Sequence, residues 1–583
     1  MSLTNSSGSG SGGGSSLPAQ PTRSQKIIFW ASFFTLIAAG MGFSLRNTSV
    51  KDQWGAQYGF SRTELGEISG GGLAGFGITI IVLSFIADKV GFARLMGLAF
   101  FFHVSSAIVT LLATPMYKQF GRDGAYYCLS IGMWLFAFGN GTCEAVINPL
   151  TATLFPHKKT HWLNILHAGW PGGLVLGSLT NMGLDNFFGK DLEWEKRLSI
   201  FLIPVIIYGL MMFRRAFPPS EAHASGVPMT TMLVQFFSPI LLFLMLIHAM
   251  VGYVELGTDS WMTSVTNLIL NDLDKATILF IWTSTLMFIL RFFAGPIVHR
   301  ISPLGLLFVS AVLGTCGLIL FHEAKGIEIC FLAATIYGLG KTFFWPTMLG
   351  VVSERFPKGG ALTLGVVGGI GMLSAGLLGD PGIGYEQDFF AVKKIESLSK
   401  ETYQRYKVAD SDQKGFPFVT NLMTKIDKDN VKLPLIAGLD NSKVGVLMEY
   451  QGKKDKSENL SFEIDMKNVE EALKKQQEKD KANPNKNLLE KGELKVGQKN
   501  EAKEGHILAS LKATKEWWET QGKPHAEEDF PKVTEAKLYG GQKALLWTAI
   551  VPATMACCYL LLIIFFKLTG GYTQKYIENT PHH

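Results

Sequence analysis

The chain has 583 residues, enough for several soluble domains, but 47% are hydrophobic, 41 are Phe and only 17% are charged, which excludes that class. Residues 381–542 hold 28 basic and 28 acidic residues, whereas the other 421 hold 26 and 20. The net charge of +6 thus belongs to the apolar part; with no basic stripe beside it, nucleic-acid binding is excluded, and a membrane protein remains.

Residues 1–26 are rich in Gly and Ser and read as a disordered tail. No cleavable signal is evident, and the apolar run from Ile27 is long enough to be a retained anchor. Spanning segments follow at about 27–45, 66–87, 94–114, 125–153, 163–184, 198–213, 235–257, 275–295, 303–321, 327–350, 360–380 and 543–567. The expected fold is an all-α membrane protein with twelve transmembrane helices. Glycine clusters such as Gly365 to Gly371 suit close helix packing rather than a dinucleotide loop, because no strand precedes them. All six cysteines lie in apolar runs and read as packing residues.

The Pro-rich connection at 214–234 divides the chain into a half at 27–213 and a half formed by 235–380 with 543–567. An internal repeat supports that division: Gly141, Glu144 and Pro149 recur as Gly338, Lys341 and Pro346 at one offset of 197 residues. Counting basic residues in short connections places both termini, the linker and the tail 568–583 in the cytoplasm, by thirteen against ten. The charged segment 381–542 is then an extracytoplasmic insert, either a small helical cap or a partly ordered loop, with a solvated helix at Val469 to Lys481. Its apolar clusters are at Phe416 to Phe418, Val431 to Leu439 and Trp517-Trp518.

Ionisable residues inside spans are costly, so each points to function as well as to packing. Glu144 lies mid-span with no charge within a turn, an environment suited to reversible proton binding. Lys341, its repeat partner, either faces Glu144 across a central cavity as a gate or pairs locally with Glu255 or Asp259. Arg46 closes the first span and either snorkels to the interface or lines the cavity near Glu144. Asn164, His167 and Trp170 share one face of the fifth span, where indole stacks on sugar C–H groups and amides pair with hydroxyls; a satisfied interior histidine is the plainer reading of His167. Pro171 implies a kink or break there. In the loop after the second span, Asp88 caps the next helix and pairs with Arg94, or locks a gate, or both.

Asp88, Lys89, Gly91 and Arg94 resemble the helix 2–3 signature of the major facilitator superfamily, with Ser84 where that pattern usually has Gly. Cys143-Glu-Ala-Val-Ile-Asn-Pro149 is similar to the Glu and Asn-Pro motif of the fucose:proton symporter family, which includes glucose/galactose permeases. Leu163-Asn164, Glu255 with Ser260-Trp261, and Pro346-Thr347 resemble positions of the same family. That resemblance implies two six-helix halves, Glu144 as the proton-linked carboxylate, and a sugar held near Asn148, Asn164, Glu255 and Trp261, with His167, Trp170, Lys341 and Trp345 completing the candidate set. Arg46 stands where these permeases carry an acidic residue, His167 and Trp170 stand for Gln and Asn, and Lys341 for Asn.

The expected function is a secondary transporter of a sugar or related polyol, driven by protons, in the inner membrane. It has no enzymatic residues, cofactor or metal, and no P-loop to supply energy from ATP. An organic-anion carrier is the first alternative. A sensor or scaffold, in which the insert binds an extracytoplasmic partner, is the second.

Overall fold

The computed structural model describes residues 21–46, 50–58, 62–188, 192–408, 436–453, 459–482 and 508–577. Among these the regular structure is helical, with one isolated bridge between Lys407 and Leu439. The core is built from α1 (Arg23–Leu45), α2 (Arg62–Ser84), α3 (Phe92–Leu111), α4 (Arg122–Leu154), α5 (Lys159–His167 and Gly169–Phe188), α6 (Leu202–Met212), α7 (Pro239–Gly252, continuing to Leu270), α8 (Leu273–Arg291), α9 (Ala294–Glu323), α10 (Ile327–Lys341 and Phe344–Arg355) and α11 (Gly360–Ser374). The chain then forms α12 (Asp380–Leu398), α13 (Lys400–Tyr406), α14 (Asn441–Gly452), α15 (Ser461–Ala482), α16 (Ala526–Thr548) and α17 (Ile550–Leu568).

Helix occupies each segment expected to span, and eight described helical stretches are long and apolar enough to cross a membrane. The expected tail 1–26 ends earlier than composition suggested. Residues 1–20 lie outside the described residues, but α1 starts at Arg23, where Thr22 accepts from the Gln25 N–H and Gln25 reaches back to Thr22. That reciprocal capping box is legible as Thr-x-x-Gln and extends the helix past two charged residues.

Backbone contact through glycine holds each half together. A side chain at Gly40 of α1 would collide with the Trp170 carbonyl of α5, and one at Gly252 of α7 with the Gly371 carbonyl of α11. The two halves meet where Gly77 of α2 lies against Gly369 and Leu373 of α11. One hydrophobic cluster runs through both halves, from Phe29 and Val146 to Trp345 and Tyr559.

The charged segment does not begin at 381, as expected, but continues α11: a five-residue π-turn, Ala375–Gly379, leads straight into α12. α16 packs along α12, Gly540 lying against the Gln387 carbonyl and Ala391, before α17 returns to the core. A separate hydrophobic cluster gathers Ile395, Tyr406, Leu447, Leu460, Trp517, Trp518 and Val533. It is pinned by Arg405 to the fully buried Asp529 at 2.8 Å, and those hydrogen bonds hold the guanidinium above its ordinary pKa. The helix expected at 469–481 lies within α15; the cluster expected at 416–418, and 431–435 of the next one, lie outside the described residues.

Candidate transport site

The site is organised by two prolines, one in each half. Pro171 has no N–H, so the His167 carbonyl four residues earlier cannot be bonded within α5, which breaks at Ala168. Pro346 does the same to the Thr342 carbonyl, and α10 breaks at Thr342-Phe343. Both freed carbonyls point at one guanidinium. Arg291, the last residue of α8 and fully buried, donates to the His167 carbonyl at 2.6 Å and to the Thr342 carbonyl at 2.7 Å. Its remaining arm meets Glu255 Oε1 at 2.9 Å.

Glu255 lies in a π-turn of α7, Tyr253–Gly257, and its second oxygen accepts the Trp345 N–H at 3.1 Å. That N–H belongs to the first turn of the second piece of α10, where helix donors lack partners. Glu255 and Arg291 thus satisfy the backbone groups that the two broken helices leave open, and Arg291 ties the halves to each other.

Glu144 is bonded differently. Asn148, one turn along α4, donates to Glu144 Oε2 at 2.6 Å and accepts from His167 Nε2 at 2.9 Å. The other His167 nitrogen stands 4.0 Å from Glu144 Oε1. The side-chain bonds thus link Glu144, Asn148 and the His167 ring, and the His167 backbone carbonyl in turn meets Arg291, which holds Glu255. Around them is a narrow cavity of about 30 Å³, lined by both carboxylates together with His167, Trp170, Arg291 and Trp345.

Of the two readings of Lys341, the structure forms the local one: its ammonium pairs with Asp259, not with Glu144. Arg46 takes neither expected position. Its guanidinium is buried and turned back to the Gly42 carbonyl at 3.2 Å and Ser106 Oγ at 3.1 Å, over the rings of Phe136 and Phe201. Cation–π contact and two neutral acceptors substitute for the water that snorkelling would reach. Trp261 does not line the cavity; its indole donates to the Asp380 carbonyl at 2.8 Å, at the junction with α12. Trp345 and Trp170 do line it.

Asn164 lies deeper, donating to Thr347 of α10 at 3.0 Å and so linking the halves. Below it the halves are tied at the end of the bundle that carries α1's start and the residues after α17. Thr160 of α5 donates to Glu354 of α10 at 2.6 Å, and Lys159 reaches the Ser353 carbonyl and Glu221. Tyr572 and the Lys575 N–H also bond to Glu354, while Gln574 reaches the Pro156 carbonyl.

Asp88 belongs to this end but not to an Asp88–Arg94 pair. α3 begins at Gly91 with no side-chain cap, and exposed Arg94 folds back on the Val90 carbonyl at 3.3 Å. Asp88 faces Ser220 and His223 of the linker instead, and burial raises its carboxyl above the ordinary value despite both. Gly91, at φ +90°, turns the chain so that α3 leads away from Asp88.

Arg291 was absent from the sequence expectations although its signal was present: a lone arginine inside the expected span 275–295.

The Major Facilitator Superfamily model matches residues 32–379. The chain belongs to that superfamily. It is therefore a multi-pass membrane transporter rather than an enzyme, and it resembles the fucose:proton symporter. The FucP transporter in its outward conformation aligns with a TM-score of 0.51 at 17% identity, over 63% of this chain and 93% of that one. The proton:xylose symporter XylE bound to 6-bromo-6-deoxy-D-glucose aligns at 0.50 and 12% identity, over 60% and 86%. A bacterial homologue of the human lysosomal transporter Spinster, inward-facing and unoccupied, aligns at 0.52 and 12%, over 93% and 97%. No curated protein sequence matches. At such identities these structures share the superfamily's fold with this chain, and their solutes remain their own.

Proposed function

We propose that the chain is a twelve-span carrier, six helices in each half, that moves a sugar or related polyol by alternating access and couples it to protons. The arrangement around Glu144 carries this reading. A buried carboxylate held only by an amide, with a histidine ring beside it, lines a cavity whose other walls include Trp170 and Trp345. A proton on Glu144 removes a charge that has no cationic partner among the described residues, so loading it and loading solute into the same cavity are linked.

Indole faces stack on sugar C–H surfaces, and Asn148, Glu144 and His167 supply the donors and acceptors that hydroxyls need. Arg291 and Glu255 form a clamp between the halves. Asp88, Lys159, Thr160 and Glu354 form a second lock at the end that we assign to the cytoplasm on the bias of basic residues in short connections; with that assignment the closed side is cytoplasmic and the segment 381–542 is outside.

An organic anion is the second reading, and the cations speak against it: Arg291 is occupied by Glu255 and two carbonyls, and Lys341 by Asp259. Action through a partner of 381–542 gains nothing from the separate hydrophobic cluster there, because its side chains are buried against one another, and no described feature fits a particular partner.

The deciding experiment is uptake into proteoliposomes with an imposed proton gradient. Accumulation of L-fucose, D-xylose or D-glucose, with proton entry when the sugar is added, supports the reading; anion flux in its place overturns it.

A further inference from the structure

Besides His167 at the site, a histidine is sealed in the membrane core of each half, and the two are not equivalent. His103 of α3 is fully buried and fully bonded: Tyr208 meets Nδ1 at 2.8 Å and the Asn140 side chain meets Nε2 at 3.0 Å. His248 of α7 is equally buried, yet neither ring nitrogen has a hydrogen-bond partner among the described residues. Leaving a buried polar atom unpaired costs about 1–3 kcal/mol, and a leucine or phenylalanine would fill the place without that cost.

The position of His248 explains what the cost is for. Its ring lies 4.6 Å from the Trp345 indole, inclined at 56°, and Trp345 is a wall of the central cavity. Gly371 of α11 provides the space for both rings; a Cβ there would lie 2.8 Å from His248 and from Trp345. The Trp345 indole therefore contacts the unpaired imidazole and also forms part of the cavity wall. The Glu255 carboxylate holds the Trp345 backbone N–H just past the break in α10, so any opening is a turn of the indole about its side-chain torsions and not a shift of the backbone.

We infer that His248 is a concealed arm of the solute site, reached when the Trp345 indole turns away, where the imidazole binds a hydroxyl group of the solute. A neutral imidazole offers one donor and one acceptor, the complement of a single hydroxyl. The assignment of a hydroxylated solute rests on the proposed function; the accessibility of His248 does not.

Diethyl pyrocarbonate labelling of the intact protein in liposomes, read by mass spectrometry, separates the two. His248 is expected to be modified while His103 is not, several-fold faster in Trp345→Ala and also faster in the milder Trp345→Phe. Saturating L-fucose, D-xylose or D-glucose is expected to slow the reaction. For the transported sugar, His248→Phe is expected to raise KM about tenfold with kcat within twofold, and His248→Gln to recover most of the loss. If His248 is as unreactive as His103 in all three proteins, the arm does not exist, whichever sugar is carried. If His248 reacts but no sugar slows it, the arm stands and the hydroxylated-solute reading fails.

Discussion

Glu144 and Glu255 are both buried carboxylates in one cavity, and their partners set them apart. Glu255 is held by a guanidinium and by the donor end of a broken helix, so its charge is compensated on both oxygens. Glu144 has one amide donor at 2.6 Å and a histidine at 4.0 Å. Removing the charge from Glu255 leaves Arg291 unpaired in the core; removing it from Glu144 leaves nothing behind. The same residue type is thus a fixed clamp in one half and, in the function proposed above, the proton-exchanging group in the other.

Breaking the clamp should have the largest effect. Arg291→Leu abandons Glu255 and two proline-freed carbonyls, and is expected to lower stability by about 3–5 kcal/mol, read as the thermal midpoint in detergent. Glu255→Gln leaves the carbonyl bonds in place and should lower it by less, about 2–3 kcal/mol, with transport lost. Comparable stability of Glu144→Gln and Glu255→Gln would remove the distinction between the two carboxylates.

Intermediate effects come from the elements that aim the clamp. Thr160→Val removes a bond to Glu354 at the tied end and should cost about 1–2 kcal/mol, while raising the accessibility of a cysteine placed at Asn164. Pro171→Ala restores an N–H that competes with Arg291 for the His167 carbonyl. Stability should change by no more than about 1 kcal/mol, and turnover should fall because the break in α5 is no longer enforced. Asp529→Asn, far from either carboxylate, should weaken the cluster around Trp517 and leave uptake within a factor of about two.

Helices were legible because hydropathy over twenty residues is a strong signal, and so was the interruption of α5, because Pro171 leaves the His167 carbonyl without its helical donor, whereas Pro149 sits inside an unbroken α4. Glu144 was legible as a charge with no neighbour. Its partner was not, because a repeat offset relates positions without saying which way long side chains turn: Lys341 turned to Asp259. Arg291 was obscured for a related reason, since an arginine near the end of a span reads as an interface residue until a second helix brings the carbonyls it serves. Arg46 shows the converse, a residue at an expected helix end whose side chain folds inward onto aromatic faces. The length of α12 and α16 was hidden by composition, because their charged faces made a continuation of the core helices look like an insert from residue 381.

The most direct test of the difference between the two carboxylates is transport by Glu144→Gln in proteoliposomes. The account predicts that gradient-driven accumulation of the transported sugar disappears while equilibrium exchange across the membrane continues at a rate near that of the unaltered protein, with its pH dependence lost. Accumulation that survives with an unchanged pH profile would contradict it.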